Sequence, residues 1–489
     1  MSTLEAQAAA CADRLGPEIK KAEGRYYTPP EVVAAALAHL PLEGTLCDFA
    51  CGSGHFLVAE ARRRLAAGRA VEAVAAALFG RDLDAEAVAL CRARLVEVLG
   101  PAHAEVIAAQ VQVGDGLAPF PQRFDAVAAN PPYRAGRLAG LDPALRLHIP
   151  TAAYQLDPYA LFLDRALRLL VPGGRAALVL PDTWLFNHHS GALRAFVLGS
   201  HDLQRLVRLP ASAFAAGVEA TLALFTAGRP TATHLPVVHF DGTSAGTLLV
   251  GADRAAPLAL AADERVMALL AAARHWSTPL TAVAEVTRGV NPYHHTLHRP
   301  EDIAARIHHA AQPLGPAWRA ELRGRHLPGP YQLTWEGDTF IHYGPHLKEP
   351  RPPRYFEGPR LLVRKILGAT LHAAFTDAPF VCDQSIYIVR LRPGARWPLA
   401  AVLGCLNSRL LADLVRARHP TRTALFPQLK VLDLKQFPLP PVAPDHPAVR
   451  ALAACVEALP ADAPPTVEAL ACIEAQVVAI YGGSVAGGG

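Results

Sequence analysis

Lysine and asparagine are scarce in this 489-residue chain. Six of its 47 basic side chains are lysine, and asparagine occurs four times, at Asn130, Asn187, Asn291 and Asn407. A composition drifted toward Ala, Arg, Gly and Pro leaves few asparagines to chance, so each survivor is a candidate for work only a carboxamide does. Long apolar runs are missing too. The best, 161–180, is interrupted by Asp164, Arg165, Arg168, Gly173, Gly174 and Arg175, short of the roughly 18 uncharged residues of a membrane helix. Residues 1–22 carry Glu5, Asp13 and Glu18 and lack the apolar centre of a signal peptide. These absences predict a soluble, cytoplasmic protein with no membrane partner. The eight cysteines, at 11, 47, 51, 91, 382, 405, 455 and 472, show no C-x-x-C spacing. They read as buried thiols of a reducing compartment, and no metal is expected.

What is present is apolar. Hydrophobic residues make up 51% and charged residues 18%, which excludes wholesale disorder and allows two or three cores. Charge is uneven. Residues 286–437 hold 21 Lys+Arg against 11 Asp+Glu, a net of +10, and ten of the 21 histidines. A slightly acidic body joined to a basic module predicts a polyanion partner.

Short apolar runs alternate with helical patterns from 45 to 227. Strands are expected at 46–49, 78–82, 111–113, 126–129, 176–180, 203–209 and 220–226, with helices at 55–68, 84–98 and 158–170. This alternation predicts an α/β fold, a Rossmann-like doubly wound parallel sheet, with the last two runs antiparallel at one edge. Residues 4–22 read as an amphipathic helix. Thr28 reads as the N-cap of a helix opened by two prolines and running to Leu40. Residues 229–258 read as trailing strands, 260–275 and 399–418 as helices, and 338–343, 360–363, 370–375 and 385–389 as short strands. The expected domains are an N-terminal helix (1–24), a sheet domain (25–258), a linker helix (259–281), an α+β recognition domain (282–440) and a helical tail with a frayed glycine-rich end (441–489).

The chemistry-bearing residues sit at strand ends. Asp48-Phe49-Ala50-Cys51-Gly52-Ser53-Gly54-His55-Phe56 follows the first strand and opens a helix. Gly52 and Gly54 let the backbone approach a ligand closely, without the G-x-G-x-x-G spacing of a dinucleotide site, since Leu57 stands three after Gly54. Asp82, ending the second strand, is placed to accept ribose hydroxyls, while Asp84 reads as the next helix's N-cap. Asp115, between Gly114 and Gly116, either accepts from an adenine amino group or closes an Asx turn.

The sharpest motif is Asn130-Pro131-Pro132-Tyr133, after the fourth strand. The prolines fix the backbone and turn the Pro131 carbonyl outward. Asn130 adds a side-chain acceptor and Tyr133 a face for stacking. Two acceptors converging on one planar NH₂ draw its lone pair out of the ring and make the nitrogen a nucleophile.

In this order the chain resembles the γ-class, Taq-type adenine-N6 DNA methyltransferases. The resemblance rests on Tyr26-Tyr27-Thr28-Pro29-Pro30-Glu31, the glycine turn, Asp82, Asp115, Asn130 to Tyr133, and Tyr159-Ala160-Leu161-Phe162. It continues through Pro181-Asp182-Thr183-Trp184 and Leu209-Pro210-Ala211-Ser212-Ala213-Phe214, then diffusely through Leu322 to Leu327 and Leu406-Asn407-Ser408. It covers about residues 20–440 and implies S-adenosylmethionine as cofactor. By resemblance, Thr28, Asp48, Gly52 and Gly54 lie near its methionine part, Asp82 holds the ribose, and Asp115 and Phe162 meet its adenine. Asn130 and the Pro131 carbonyl hold the target N6, and Tyr133 and Phe214 contact a flipped-out base. Phe49 departs from the family, which often has Pro there.

The function expected is site-specific methylation of adenine N6 in double-stranded DNA, in restriction-modification or phage defence, with a separate restriction or defence subunit as a further partner. Arg323 and Arg325, in an Arg-Gly-Arg turn, are the expected DNA contacts. Three alternatives stay open: RNA adenine methylation, protein glutamine methylation, and a non-catalytic recognition subunit. Only about 24 residues precede the first motif, so a fused nuclease is not expected.

Overall fold

The computed structural model describes residues 28–133, 158–210, 220–228, 233–418, 428–460 and 463–482, together with 4, 151, 213 and 230. The expected helix at 4–22 (apart from Leu4), Tyr26, Tyr27, Phe214 and the glycine-rich end after 482 lie outside the described residues. The chain forms two compact units, 1–262 and 263–489.

The first unit is built on one mixed sheet. Its strands are β1 (Leu46–Asp48), β2 (Leu78–Asp82), β3 (Val111–Val113), β4 (Phe124–Ala129), β5 (Leu170–Leu180), β6 (His201–Arg208), β7 (Thr221–Ala227), β8 (His234–His239), β9 (Ser244–Leu249) and β10 (Ala259–Ala261). They are ordered β10-β9-β8-β6-β7-β5-β4-β1-β2-β3. From β5 to β3 all neighbours are parallel. In this half the strand alternates with helices such as His55–Ala66, Ala85–Leu99 and Pro158–Arg168. Strands β1 and β4 are buried almost throughout, which is why they read as continuous apolar runs. Strand β7 lies antiparallel between β5 and β6. The β6–β7 pair is therefore not the edge expected from the sequence. The 229–258 segment supplies β8 and β9, and the sheet continues through them because β6 still offers a hydrogen-bonding side to β8.

The first helix, Pro30–Ala38, has Pro29 rather than Thr28 at its N-cap and no side-chain cap. Proline at the helix start already lacks the N–H a cap would satisfy, so the Thr28 hydroxyl is available elsewhere. Asp84 does cap its helix, accepting from the N–H groups of Glu86 and Ala87.

The second unit carries two small sheets. One is ordered β11-β18-β15-β16 and the other β12-β14-β13-β17. The strands are β11 (Ala284–Arg288), β12 (His309–Ala310), β13 (Trp318–Leu322), β14 (Phe340–His342), β15 (Arg360–Arg364), β16 (Ala373–Thr376), β17 (Val381–Cys382) and β18 (Ile386–Leu391). The helix expected at 399–418 is two, Leu399–Asn407 and Arg409–Arg418. Asn407 accounts for the break. Its amide accepts from the Ala373 N–H and donates to the Ala373 carbonyl, both at 2.9 Å, a paired contact only a carboxamide makes. Glu474 then accepts from the N–H groups of Arg409 and Leu410. The helix read as a linker, Glu264–Ala273, belongs to this unit. So does the tail: Tyr481 packs on Trp276 at 4.6 Å and donates to the Pro438 carbonyl. The reading of every cysteine as buried needs correction. Cys455 is half-buried and Cys472 exposed, because they sit on a solvent-facing side of two terminal helices.

Among the described residues, no helix is long and apolar enough to cross a membrane.

Candidate active site

Register alone brings the predicted motifs to one edge. Asp48 pairs with Gly80, Asp82 with Val113, and Cys47 with Val127. The C-terminal ends of β1 to β4 therefore open side by side, where α/β sheets bind ligands.

The loop after β1 is held from three directions. The Gly52 N–H donates to Asp82 Oδ2 at 2.8 Å, and the Cys51 N–H to the Arg81 carbonyl at 3.1 Å. Buried Arg94 donates to the Ser53 carbonyl at 2.6 Å. Gly54 enters the helix at φ 85°, and a Cβ there would stand 2.5 Å from Cys91 Sγ. Gly52 is also left-handed, at φ 49°, but a Cβ there would meet nothing within 4 Å. Space above Gly52 is open while Gly54 is packed, so the two glycines serve different needs.

Asp82 is fixed by backbone on both oxygens, since Oδ1 accepts the Asp84 N–H at 3.0 Å. Asp48 is 1% exposed and accepts from the Ala50 N–H. Burial pushes its carboxyl up to about 8, with the Asp82 charge adding to the effect. Asp115 Oδ1 accepts the Leu117 N–H at 2.9 Å. The Asx turn is therefore formed, and the same carboxylate stands half-exposed at the end of β3.

Three neighbours of these residues carry signals that motif reading passes over. Arg81 donates to the carbonyls of Ala118 and Pro119 at 3.3 Å and lies 3.7 Å above the Phe120 ring, clamping the loop that holds Asp115. A Cβ on Gly116 would fall 1.9 Å from the Phe49 carbonyl oxygen, so only glycine fits. Phe49 stacks on Phe162 at 5.4 Å and 16°. The departure from proline at 49 thus gives half-buried Phe162 a partner that holds its ring against the site edge. A charged residue inside an apolar strand was the visible trace of Arg81; Gly116 and Phe49 needed the loops' packing.

Asn130 ends β4 half-buried. Its Nδ2 donates to the Thr28 Oγ1 at 2.9 Å, across 102 positions of sequence. With Nδ2 on the Thr28 hydroxyl, the carbonyl arm of the amide turns the other way. Pro131 is buried and Pro132 half-buried. Tyr133 is 3% exposed, and its hydroxyl donates to the Val179 carbonyl at 3.4 Å. Farther along the same edge, the Tyr159 and Thr183 hydroxyls pair at 2.8 Å. Fully buried Arg194 ties Trp184 and Asn187 to Ala255 through their carbonyls. A surface cavity of about 410 Å³, lined by Glu43, Gly44, Asp125, Gly173 and Gly174 among others, lies at the opposite ends of the strands and shares none of these residues.

In the second unit Arg323 and Arg325 are both engaged. Arg323 donates to fully buried Glu321 at 2.6 Å, and Arg325 to Asp338 at 2.9 Å. Arg323 therefore neutralises an interior carboxylate, a structural duty the Arg-Gly-Arg spacing did not reveal. Arg325 pairs at the surface, where such bridges contribute little.

Known proteins fall in with this arrangement. The N-6 DNA Methylase family model matches residues 13–247, and the TaqI-like C-terminal specificity domain matches 319–439. The chain is 27% identical over 297 residues to the Type II methyltransferase M.PaeR7I of Pseudomonas aeruginosa, covering 56% of this chain and 50% of that one. It is 27% identical over 183 residues to the Type II methyltransferase M.VspI of Vibrio sp. (strain 343), covering 36% and 41%. The chain thus spans half or less of these curated relatives. The fold is shared with the Type IIL restriction-modification enzyme MmeI in complex with DNA, at a TM-score of 0.59, 13% identity, and 98% of this chain against 75% of that one. With the two models matched in this order along the chain, residues 13–247 belong to the N-6 DNA methylase family and residues 319–439 to the TaqI-like C-terminal specificity domains.

Proposed function

We propose that this chain transfers a methyl group from S-adenosylmethionine to adenine N6 in double-stranded DNA, at a sequence chosen by the second unit. The observation that carries the reading is the Asn130–Thr28 bond at the end of β4, which engages the NH₂ arm of the carboxamide and leaves its oxygen as the acceptor next to Pro131 in the chain. The cradle suits the cofactor's chemistry. Asp82 and Asp115 offer carboxylates, and Asp48 a buried carboxyl that a cation would deprotonate, to a group that also carries ribose hydroxyls, and open space lies above Gly52. When bound, S-adenosylmethionine supplies an electrophilic methyl group on a sulfonium centre. Asp82 would take the ribose hydroxyls, Asp115 the adenine amino group and Phe162 the adenine face. Asp48 would face the cationic part, and Gly52 and Gly54 shape the turn around it.

Asn130 Oδ1 and the Pro131 carbonyl would each accept one N–H of the target amine. Positive charge grows on that nitrogen as it attacks, so both acceptors act more strongly in the transition state than in the ground state. Thr28 is a positioning residue: it holds the amide so that an oxygen, not an NH₂, meets the target. Tyr133, and Phe214 by resemblance, would contact the extruded base.

The +10 segment favours a nucleic acid over a protein glutamine. The names of the relatives favour restriction-modification, and a separate restriction or defence subunit belongs to that setting.

The test is sequencing of modified bases in DNA from cells expressing the chain, followed by single-turnover transfer to a duplex carrying the mapped site. Asn130→Ala should lower turnover by about two decades or more, with far smaller changes in cofactor and DNA binding. Near-normal turnover by that variant, or faster transfer to RNA of the same sequence, would overturn the assignment.

A further inference from the structure

Eight of the chain's 21 histidines fall within 294–346, and neither the methyl-transfer reading nor phosphate binding uses them. Folding collects them. His308 and His342 face each other where β12 meets β14, and the His342 N–H donates to the His308 carbonyl at 2.9 Å. His346 returns to the pair through a turn at Gly344. A Cβ on Gly344 would stand 2.9 Å from Cε1 and Nδ1 of His346, so only glycine lets that ring lie where it does. The rings of His342 and His346 stack at 4.3 Å, and His308 lies 4.7 Å from His346. One nitrogen from each of the three can be chosen so that all lie within 4.8 Å of one another.

A second ring of contacts holds the first. His308 stacks on Tyr293 at 5.3 Å and 15°. The Tyr293 hydroxyl accepts the His308 backbone N–H at 3.0 Å and pairs with His309 Nδ1 at 2.8 Å. His309 Nε2 reaches buried Glu321 at 3.1 Å, whose other oxygen takes Arg323. His346 Nε2 lies 2.9 Å from the His342 carbonyl. That carbonyl can only accept, so Nε2 carries the proton and Nδ1 keeps its lone pair. A ligand's spare nitrogen fixed on a carbonyl is the usual support of a metal-binding histidine. His298 Nε2 lies 3.1 Å from His308 Nε2. Two imidazole nitrogens on a tetrahedral zinc, with bonds of about 2.0–2.1 Å, stand roughly 3.3 Å apart.

We propose that His308, His342 and His346 form a binding site for a divalent transition-metal cation of the zinc class, with His298 or a water completing a tetrahedron. Three or four neutral imidazoles with no carboxylate among them select zinc, nickel, cobalt or copper over magnesium and calcium. The cation's work would be structural. Strand β12 has two residues and pairs with β14 over two positions, a ladder too short to hold itself. A metal bridging 308, 342 and 346 would clasp both strands and the following turn into one piece.

The experiment uses the full chain without an affinity tag, stripped by a chelator and then titrated with Zn²⁺ against a chromophoric competitor. The expected result is one ion per chain, a raised melting temperature, and a visible Co²⁺ spectrum of tetrahedral nitrogen ligation. His346 is exposed, so His346→Ala should fold as the metal-free parent does. It should bind Zn²⁺ weaker by roughly two orders of magnitude and lose the metal-induced rise in melting temperature. No stoichiometric binding by the parent, or equal binding by parent and His346→Ala, would overturn the site. DNA methylation assays do not enter this test, so its failure is separate from any failure of the methyl-transfer reading.

Discussion

In the first unit, the residues argued to do chemistry follow one another at strand ends: Asp48 to Gly54, Asp82, Asp115, and Asn130 to Tyr133. Their geometry is set by backbone. Gly52 binds Asp82, the Asp84 N–H binds Asp82, and Leu117 binds Asp115. In the second unit, the net charge of +10 carried by residues 286–437 is diffuse, and many of the arginines behind it are already engaged within the protein. Arg288 and Arg351 share Glu349, Arg299 meets Asp302, and Arg416 meets Asp413. Arg360 is fully buried and donates to the carbonyls of Gly358, Ala378 and Phe380. A motif locates function where strand ends impose one geometry. Net charge locates only a partner class, because it counts interior and surface arginines alike.

The strongest challenge to that contrast is Arg360. Replacing it with methionine removes a charge from the count but should act on folding. It would take a donor from three carbonyls and cost about 3 kcal/mol or more. Urea unfolding measures this; a stability unchanged within 0.5 kcal/mol (about the usual surface effect) would return Arg360 to the DNA-facing set.

Asp48 sharpens the other side. Its folded-state pKa, about 8, stands above the ordinary carboxylate value, so the folded chain binds the proton more tightly than the unfolded chain. Stability should therefore fall as pH rises from about 4 to about 8 and level off above. Asp48→Asn should flatten that slope and stabilise the cofactor-free protein at pH 9 by on the order of 2 kcal/mol. The same variant should bind S-adenosylmethionine more weakly. Parallel pH–stability curves for variant and parent would remove the buried carboxylate as the cause.

Thr28→Val keeps shape but deletes the acceptor for Asn130 Nδ2. Turnover should drop about tenfold, the cost of one lost orienting hydrogen bond, with cofactor affinity little changed. A loss of cofactor affinity without a loss of turnover would instead place Thr28 beside the methionine part, as the family resemblance has it.

The smallest effects separate the two arginines of the Arg-Gly-Arg turn. Arg323→Ala should destabilise by about 1–3 kcal/mol, because buried Glu321 loses its arginine and keeps only His309. Arg325→Ala should leave stability within about 0.5 kcal/mol. If Arg325 meets a phosphate, that change lowers the salt slope of DNA binding by roughly 1. Exposed Arg306, Arg319 and Arg396 are the comparison set, and equal slopes across all four variants would mean that charge, not position, carries the contact.

The sequence by itself determined the alternating elements from β1 to β7, the strand-end placement of Asp82, Asp115 and Asn130, and Asp84 as a cap. Each rests on local rules: apolar period, glycine freedom, proline geometry. It could not show that β6 and β7 lie inside the sheet, since an edge is defined by what pairs later. Nor could it decide that Thr28 serves Asn130 across 102 positions, that Phe49 stacks on Phe162, or that Arg323 serves a buried glutamate. Cysteine spacing announced no metal, while the histidines that converge at 308, 342 and 346 come from segments more than 30 residues apart. Such contacts depend on burial and register, which a one-dimensional pattern does not contain; only the packed chain supplies them.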